Sequence, residues 1–374
     1  MNGTYSRHRR KVETLLEGTG IHIDGDRPSD IQVRDPRFFK RVLTQGSLGL
    51  GESYMDGWWE CPALDEMMTK LLRAGLDRTV VARVLALDLA EAVLFNLQNR
   101  TRAWIVGHKH YDIGNDLYLA MLDRKLVYSC GYWKHATTLD EAQIAKIDLV
   151  CRKLQLKPGM RVLDIGCGWG GAAAYVAEHY GCSVTGVTIS EEQYRYATEF
   201  CRDLPVEIRL QDYRDIRDTF DRVYSIGMFE HVGYRNYRRY MEVARNLLKE
   251  GGLFLVHTIG GNRSVKTTDP WINRYIFPNG MLPSVRQIGA AIDGLFVMED
   301  WHNFGHHYDT TLMHWFRNFD AAWPRLAQDY GERFYRMWKY YLLSCAASFR
   351  ARKNQLWQVV LSVGGVPGGY EAPR

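Results

Sequence analysis

The stretch LDIGCGWGG, residues 163–171, says more about the fold of this chain than any other. An aspartate closes a short apolar run, and glycines follow it at once, so the backbone can approach a ligand closely before a helix begins. A glycine-rich turn of this kind serves NAD, FAD or S-adenosylmethionine, and it can also be no more than a tight turn. The stretch alone therefore predicts only a strand that ends in a glycine-rich turn. The ligand has to be inferred from the spacing of the glycines and from the neighbouring strands.

Strand-like and helical segments alternate around this stretch from about residue 140 onward. The strand-like runs are RVLDIGC (161–167), SVTGVTI (183–189), VEIRLQD (206–212), DRVYSIGM (221–228) and GLFLVHTI (252–259), and a last one, LWQVVLSV, spans 356–363. This alternation predicts an α/β fold with a doubly wound, mostly parallel sheet. In such sheets a ligand binds beyond the carboxyl ends of the strands.

The spacing of the glycines favours one of the candidate ligands. Dinucleotide-binding turns have the spacing G-x-G-x-x-G, and an acidic residue usually follows their second strand. Here the glycines are spaced G-C-G-W-G-G, and the second run ends GVTIS without an acidic residue. Asp-x-Gly-x-Gly-x-Gly is instead the pattern of class I methyltransferases. We therefore expect S-adenosylmethionine.

Polar residues stand at the ends of the other predicted strands. Thr188 and Gln193 follow the second run, Asp212 and Tyr213 end the third, Glu230 and His231 follow the fourth, and His257 ends the fifth. Taken alone, Gln193 would be a solvated helix residue and Asp212 the cap of a turn. Because the carboxyl ends of parallel strands lie at one edge of a sheet, their shared placement favours a binding site.

Residues 1–100 differ from the rest in being mainly helical by periodicity, in KVETLLEG, PRFFKRVL, ALDEMMTKLLRAG and 80–99. The polar segment QNRTRAW (98–104) is the expected linker. We therefore expect a smaller helical domain at 1–100 and a catalytic domain at 101–374. The apolar window 80–99 contains Arg83, Asp88 and Glu91, which indicates an amphipathic helix and not a membrane span. The expected protein is soluble or peripheral.

Composition excludes several classes of protein. The 374 residues are 46% hydrophobic and 24% charged, which is typical of a folded domain. Seven cysteines, an odd number, do not suggest a disulfide framework, and the amino terminus lacks the apolar region of a signal peptide. A reducing cytoplasm is the expected location. The net charge of +5 fits an anionic membrane surface better than a nucleic acid.

Several motifs together resemble the bacterial cyclopropane-fatty-acyl-phospholipid synthases. They are HYDIGNDLY (110–118), YSCGYW (128–133), LDIGCGWGG, GVTIS with Gln193, SIGMFEHVG (225–233) and HTIG (257–260). The related mycolic acid cyclopropane synthases share the methyltransferase motifs but lack the first hundred residues. In this chain QGSLGLGESYMDGWWEC (45–61) looks like the phospholipid enzyme. The resemblance covers nearly the whole chain.

This resemblance implies a fold and a reaction. The fold would be the Rossmann-like seven-stranded sheet of class I methyltransferases, with a smaller, mainly helical N-terminal domain that helps to bind lipid. A methylene group would pass from S-adenosylmethionine to the cis double bond of an unsaturated phospholipid acyl chain, through methyl transfer, a carbocation and removal of a proton by bound bicarbonate. The enzyme would be a homodimer, cytoplasmic and peripheral at the inner face of the cytoplasmic membrane.

The resemblance also implies site residues. Those that would hold bicarbonate and act in catalysis are Cys130, Glu230, His257, Ile259 (through its backbone N–H) and Tyr308. Those that would bind the cofactor are Tyr128, Ser129, Gly166, Gly168, Thr188, Gln193, Asp212 and Tyr213. Glu230 would either accept the bicarbonate O–H or orient His257, and the sequence does not choose between them. Cys130 would line the bicarbonate pocket, because direct methyl transfer requires no covalent enzyme intermediate.

Other interpretations of the same residues stay open. Taken alone, Cys130 would be a small buried apolar residue, and His257 and Tyr308 would be structural. His302, His306 and His307 suggest zinc, but no cysteine or carboxylate has the matching spacing, so no metal is expected. A lipid methyltransferase that leaves a methyl or methylene branch would need the same cofactor residues. A non-catalytic lipid-binding or cofactor-binding protein would not need Glu230, His257 and Tyr308 together.

Overall fold

The computed structural model describes residues 2–76 and 114–374. These residues form two compact units. The first unit contains 2–76, 266–278 and 312–354, and the second contains 114–265, 279–311 and 355–374. The predicted helix at 80–99, the predicted linker and the predicted boundary near residue 100 lie outside the described residues. The division into domains 1–100 and 101–374 therefore stays a prediction.

The described residues form helices and strands that are labelled here in chain order. The helices are α1 (Asn2–Leu16), α2 (Arg37–Met55), α3 (Leu64–Arg73), α4 (Asn115–Met121), α5 (Leu139–Lys153), α6 (Gly171–Tyr180), α7 (Glu191–Phe200), α8 (Tyr237–Leu247), α9 (Pro270–Tyr275), α10 (Val285–Ile292), α11 (His306–Tyr330) and α12 (Glu332–Arg350). The strands are β1 (Gln32–Val33), β2 (Trp59–Glu60), β3 (Arg161–Ile165), β4 (Ser183–Thr188), β5 (Val206–Leu210), β6 (Phe220–Ile226), β7 (Leu248–Gly261), β8 (Val297–Asn303) and β9 (Asn354–Ser362).

The second unit is built on a seven-stranded sheet with the order β5-β4-β3-β6-β7-β9-β8. Strands β3 to β7 run parallel, and β8 is antiparallel to β9. The predicted α/β fold and its seven-stranded sheet are confirmed, since the five predicted parallel strands correspond to β3–β7 and the last run to β9. Strand β8 was not predicted, because it is an edge strand whose sequence, VMEDWHN, does not alternate between apolar and polar residues.

Helices cover both faces of the sheet, which explains why four successive residues of the central strand β3, Val162 to Ile165, are buried. Leu163 and Ile165 of β3 belong to a core cluster with residues of α8 and α10. Val162, whose side chain points to the opposite face, belongs to a second cluster with residues of α5 and α6. Alternate residues of one strand thus stabilise two separate layers, and β3 is packed between them.

Helix α5 crosses one of these faces and begins at a capping box. The Thr138 side chain accepts a hydrogen bond from the Glu141 backbone N–H, and the Glu141 side chain accepts one from the Thr138 backbone. Reciprocal bonds of this kind satisfy two of the free N–H groups at a helix start. The cap fixes the beginning of the helix that carries the buried lysines 146 and 153.

The first unit is mainly helical, and its predicted helices are present in the described part as α1, α2 and α3. Helix α2 extends beyond the predicted 36–43 to Met55 and bends at Gly46, which has a φ of +58°. Helix α12 packs against α3 and α2, and Arg336 on α12 donates to the backbone oxygen of Trp59. In residues 2–76 and 114–374 no helix combines the length and the apolar character needed to cross a bilayer.

Candidate active site

The glycine-rich loop after β3 exposes bare backbone at the carboxyl edge of the sheet. Gly166 and Gly168 have φ values of +88° and +55°, in the left-handed region that favours glycine. A Cβ at Gly166 would lie 3.0 Å from the side chain of Met228, whereas a Cβ at Gly168 would meet nothing within 4 Å. Any other residue at either position would be strained by its positive φ. At Gly168 the space that a Cβ would occupy is open.

Thr188 and Gln193 are joined directly at the end of β4. The Thr188 hydroxyl donates to Gln193 Oε1 at 2.9 Å and accepts the backbone N–H of Ser190 at 3.2 Å. Both side chains are buried. Gln193 is therefore not a solvated helix residue. Its side-chain oxygen is held by Thr188, the last residue of β4.

Asp212 and Tyr213 follow β5 in a short 3₁₀ turn. The Asp212 carboxylate caps this turn by accepting the backbone N–H of Arg214 at 3.0 Å, and it is also paired with the Arg214 guanidinium. The ring of Tyr213 lies edge-on to that of Tyr240, with 5.2 Å between centroids. Asp212 is thus the cap of a turn, and contact of the same buried carboxylate with a cofactor stays a prediction.

The segment YSCGYW places three predicted site residues side by side. The ring of Tyr128 lies 5.3 Å from that of Tyr118, in an edge contact. Ser129 is buried and its Oγ accepts a 2.8 Å hydrogen bond from Lys146 Nζ. Cys130 is fully buried, and burial raises the pKa of its thiol far above the usual range. A neutral thiol is a poor nucleophile, which agrees with the interpretation of Cys130 as a wall of the site.

Thr311, which sequence reasoning missed, fixes this segment. Its hydroxyl oxygen accepts the backbone N–H of Gly131 at 3.1 Å and the indole N–H of Trp133 at 2.9 Å. Its own proton is donated to the backbone oxygen of His307 at 2.9 Å. Tyr308, a buried predicted site residue, lies in the same turn of α11. Thr311 therefore ties the turn that carries Tyr308 to the segment that carries Cys130.

His307 also holds the segment through its imidazole ring. Its Nδ1 accepts the backbone N–H of Trp133 at 3.0 Å. Burial, together with the neighbouring His306, lowers its pKa to about 4, so the ring is neutral. Within residues 2–76 and 114–374, no group of three or more His, Cys, Asp and Glu side chains is arranged to hold a metal ion.

Glu230 and Ile259 meet between the ends of β6 and β7. The backbone N–H of Ile259 donates to Glu230 Oε1 at 2.6 Å. Oε2 of the same carboxyl is buried and has no hydrogen-bond partner among the described residues. Burial raises the pKa of Glu230 to about 7, against the opposing effect of the Ile259 N–H. The two oxygens therefore differ, since a backbone N–H holds only Oε1.

His257 lies two residues before Ile259 on β7. Its Nδ1 is 3.3 Å from Nε2 of the buried Gln358, and its Nε2 has no hydrogen-bond partner in the described part of the chain. Burial lowers the pKa of His257 well below its usual value, and the positive charges of Lys146 and Lys153 lower it further. The ring is therefore neutral. When the Gln358 amide donates to Nδ1, the ring proton is on Nε2.

Only some of the predicted site residues contact one another through hydrogen bonds between described residues. Direct hydrogen bonds join Thr188 to Gln193 and Glu230 to Ile259. Lys146, Thr311 and Gln358 were not predicted to support the site. No local motif marks these residues, because their partners are distant in sequence. The i to i+3 placement of Tyr308 and Thr311 is the one sequence feature that could have pointed to Thr311, since such residues share a helix face.

Comparison with known proteins finds relatives over nearly the whole chain. The family model of mycolic acid cyclopropane synthetase matches residues 98–359. The cyclopropane-fatty-acyl-phospholipid synthase of Escherichia coli (strain K12) is 59% identical over 366 residues, which cover 98% of this chain and 96% of that protein. A probable fatty acid methyltransferase of Pseudomonas putida is 37% identical and covers 96% of this chain and 93% of its own length.

Solved structures agree with this relationship. The mycolic acid cyclopropane synthase CmaA1, in complex with SAH and CTAB, is 31% identical with a TM-score of 0.65, and the match covers 69% of this chain and 97% of that one. The cyclopropane synthase MmaA2 from Mycobacterium tuberculosis is 29% identical with a TM-score of 0.66, covering 71% and 99%.

Proposed function

This chain belongs to the mycolic acid cyclopropane synthetase family, and we propose that it is an S-adenosylmethionine-dependent methyltransferase that forms cyclopropane rings in the unsaturated acyl chains of phospholipids. The observation that carries this proposal is the extent of its similarity to the phospholipid synthase of Escherichia coli, which covers nearly all of the chain. The solved mycolic acid cyclopropane synthases cover only part of it.

The reaction makes defined demands on the site. The π electrons of the double bond form a bond to the sulfonium methyl carbon, the carbon–sulfur bond breaks, and S-adenosylhomocysteine leaves with that electron pair. The acyl chain then carries a positive charge. Removal of one proton from the new methyl group lets the C–H electron pair close the ring. The site must align the alkene with the methyl group, exclude water from the cation and hold a base.

The cofactor is held at the carboxyl ends of β3, β4 and β5, together with the segment YSCGYW. The residues that we assign to it are Tyr128, Ser129, Gly166, Gly168, Thr188, Gln193, Asp212 and Tyr213. Their placement supports the assignment, because three neighbouring strands end at one edge of the sheet and the loop there presents backbone without a Cβ. The acidic Asp212 suits an amino group of the adenine.

The base site is formed by Cys130, Glu230, His257, Ile259 and Tyr308, and we assign bicarbonate to it. Two buried polar atoms support a small hydrogen-bonding anion, namely Glu230 Oε2 and His257 Nε2, since neither has a partner in the described residues. A carboxylate can accept the O–H of bicarbonate, and a neutral imidazole protonated on Nε2 can donate to one of its oxygens. Bicarbonate, when bound, supplies the base for the proton that the methyl group loses.

Ile259 contributes to the proposed base site by holding the Glu230 carboxyl. Because the Ile259 N–H donates to Glu230 Oε1, it holds the carboxyl in place. A direct bond from this N–H to the anion stays a prediction. Of the two roles considered for Glu230, acceptance of the bicarbonate O–H is favoured, because His257 Nδ1 already faces Gln358.

The surface of the bilayer and a second copy of the chain are the proposed partners. Arg7, Arg10 and Lys11 on α1 are exposed and could contact anionic headgroups, each contributing roughly 1 kcal/mol near a membrane surface. Arg9 is instead paired with Glu13 and Asp24. The proposed location is cytoplasmic and peripheral at the inner face of the cytoplasmic membrane. Flotation with anionic and neutral vesicles tests whether charge contributes to membrane binding. Anionic vesicles should bind more protein, and equal binding to both contradicts this contribution.

One experiment tests the reaction. The protein is incubated with vesicles of dioleoyl phosphatidylglycerol and S-adenosylmethionine that carries a deuterated methyl group, and the released acyl chains are analysed by mass spectrometry. A cyclopropane acyl chain that retains two deuterium atoms is expected. A methyl-branched or methylene-branched chain identifies the alternative lipid methyltransferase. Binding of lipid or cofactor without any methylated product identifies a non-catalytic protein.

A further inference from the structure

Lys146 is a buried lysine to which the reaction has so far given no role. It lies on α5, its side chain is 0% exposed, and its Nζ donates to Ser129 Oγ at 2.8 Å. Ser129 lies against the carboxyl end of β6, because a Cβ at Gly227 would be only 3.9 Å from the Cβ of Ser129. The ammonium group therefore reaches the edge of the sheet where the proposed cofactor site lies.

The charge of Lys146 is not neutralised by a direct partner. Burial lowers its pKa to about 8, while the carboxylates of Asp123 and Asp164 and the Cys130 thiol raise it, so most of the group is still protonated at pH 7. Among the described residues it forms no salt bridge, unlike Lys153 on the same helix, which is 2.8 Å from Asp300. Burial of a cation without an ion-pair partner is costly, and an anionic ligand beside it would offset that cost.

The hydrogen bond to Ser129 determines where the serine proton points. An ammonium group has donors only, so Ser129 Oγ must accept and its own proton must be directed elsewhere. No acceptor for that proton lies among the described residues. S-adenosylmethionine carries a carboxylate on its methionine part, and that carboxylate is both an acceptor and a negative charge.

We propose that Lys146 is a positioning residue that orients the Ser129 hydroxyl toward the carboxylate of the methionine part of the cofactor and stabilises that carboxylate by its buried charge. This inference rests on the proposed cofactor. Lys146 thereby makes the site selective for cofactors that keep their amino-acid part, and the adenosine part is bound independently of it.

Isothermal titration calorimetry with two probes tests this selectivity. S-adenosylhomocysteine carries the carboxylate, whereas 5′-methylthioadenosine has the same adenosine thioether without the amino-acid part. In Lys146→Met, which keeps the length of the side chain but removes the charge and the donors, we expect affinity for S-adenosylhomocysteine to fall about tenfold. Affinity for 5′-methylthioadenosine should stay within about twofold. In a double-mutant cycle with Ser129→Ala, the two losses should not add.

Lys153→Met is the matched control, since it removes a lysine of equal burial from the same helix. It should leave the ratio of the two affinities unchanged. An equal loss for both probes in Lys146→Met, or no loss for either, overturns the inference. If Lys146→Met does not fold, Ser129→Ala carries the test, and an unchanged affinity ratio in that variant overturns the inference equally. If the wild-type chain binds neither probe, the proposed cofactor itself is wrong, which is a distinct result.

Discussion

The backbone N–H of Ile259 donates a 2.6 Å hydrogen bond to Oε1 of the buried Glu230 side chain, and the second oxygen of that carboxyl has no partner among the described residues. The two oxygens therefore have different functions. One anchors the side chain to β7, and the other is a buried acceptor, for which the proposed bicarbonate O–H is a matching donor. A change that preserves the anchor and removes the acceptor separates the two functions.

Glu230→Gln is that change. The amide oxygen can still accept the Ile259 N–H, but an NH₂ group replaces the second oxygen and cannot accept an O–H. We expect kcat to fall about 100-fold, a typical contribution of acid–base chemistry. Affinity for S-adenosylhomocysteine, measured by calorimetry, should stay within about twofold. A variant that keeps the wild-type kcat contradicts the proposed role of Glu230.

The same variant should also change how stability depends on pH. Burial raises the pKa of Glu230 from the usual glutamate value of 4.5 to about 7, so the folded state binds this proton more tightly than the unfolded state does. The stabilisation from the protonated form is complete below about pH 4.5 and is lost as the pH rises toward 7. Glutamine cannot ionise, so the free energy of unfolding of Glu230→Gln relative to wild type should increase over this interval, by at most about 3 kcal/mol. Urea denaturation at several pH values measures it, and a pH-independent difference contradicts the raised pKa.

Cys130→Ser tests whether the thiol of Cys130 takes part in the chemistry. Serine preserves a small polar group beside Thr311 Oγ1, which lies 3.9 Å from the sulfur. Because no covalent intermediate is required, we expect activity to fall several-fold without being abolished. Cys345→Ser, at a partly exposed thiol of the first unit, is the control and should keep wild-type activity. Complete loss in a folded Cys130→Ser protein with normal cofactor affinity would show that the thiol itself takes part in the chemistry.

Thr311→Val removes a hydroxyl that holds three groups. Valine has nearly the same shape, but the buried Gly131 N–H loses its acceptor, and the half-buried Trp133 indole N–H loses this hydrogen bond. We expect a loss of stability of about 1–3 kcal/mol, the cost of unsatisfied buried donors, together with a lower kcat.

Thr69→Val is the matched control for Thr311→Val. Thr69 is also buried, and its hydroxyl donates to the carbonyl four residues earlier, but it accepts no hydrogen bond from the described residues. Its substitution should cost less than half as much in urea denaturation. If the two substitutions are equally destabilising, Thr311 is only a packing residue.

The sequence was sufficient for β3 to β7 because short strand-like runs alternate there with helical segments, and β3 and β4 are buried along almost their whole length. It did not reveal β8, whose exposed Val297 and Met298 break the pattern of a half-buried strand. Candidate site residues that lie inside a motif, such as Glu230 and His257, could be named from the sequence. Supporting residues such as Thr311 and Gln358 could not. Thr311 meets Gly131 across 180 positions and Gln358 meets His257 across 101, so only the folded chain brings these pairs together.

Removal of bicarbonate tests the base directly. In buffer freed of carbon dioxide under argon, wild-type turnover should fall at least tenfold, because the proposed base is then absent. Added bicarbonate should restore the rate. Glu230→Gln should respond much less, since its remaining rate no longer depends on an acceptor for the bicarbonate O–H. Binding of S-adenosylhomocysteine should be the same with and without bicarbonate in both proteins, which separates loss of the base from loss of the cofactor site. Residual bicarbonate must be measured and must lie far below the concentration that restores activity. An unchanged wild-type rate under these conditions would mean that a protein side chain removes the proton. Glu230, whose pKa is raised to about 7, would then be the first candidate.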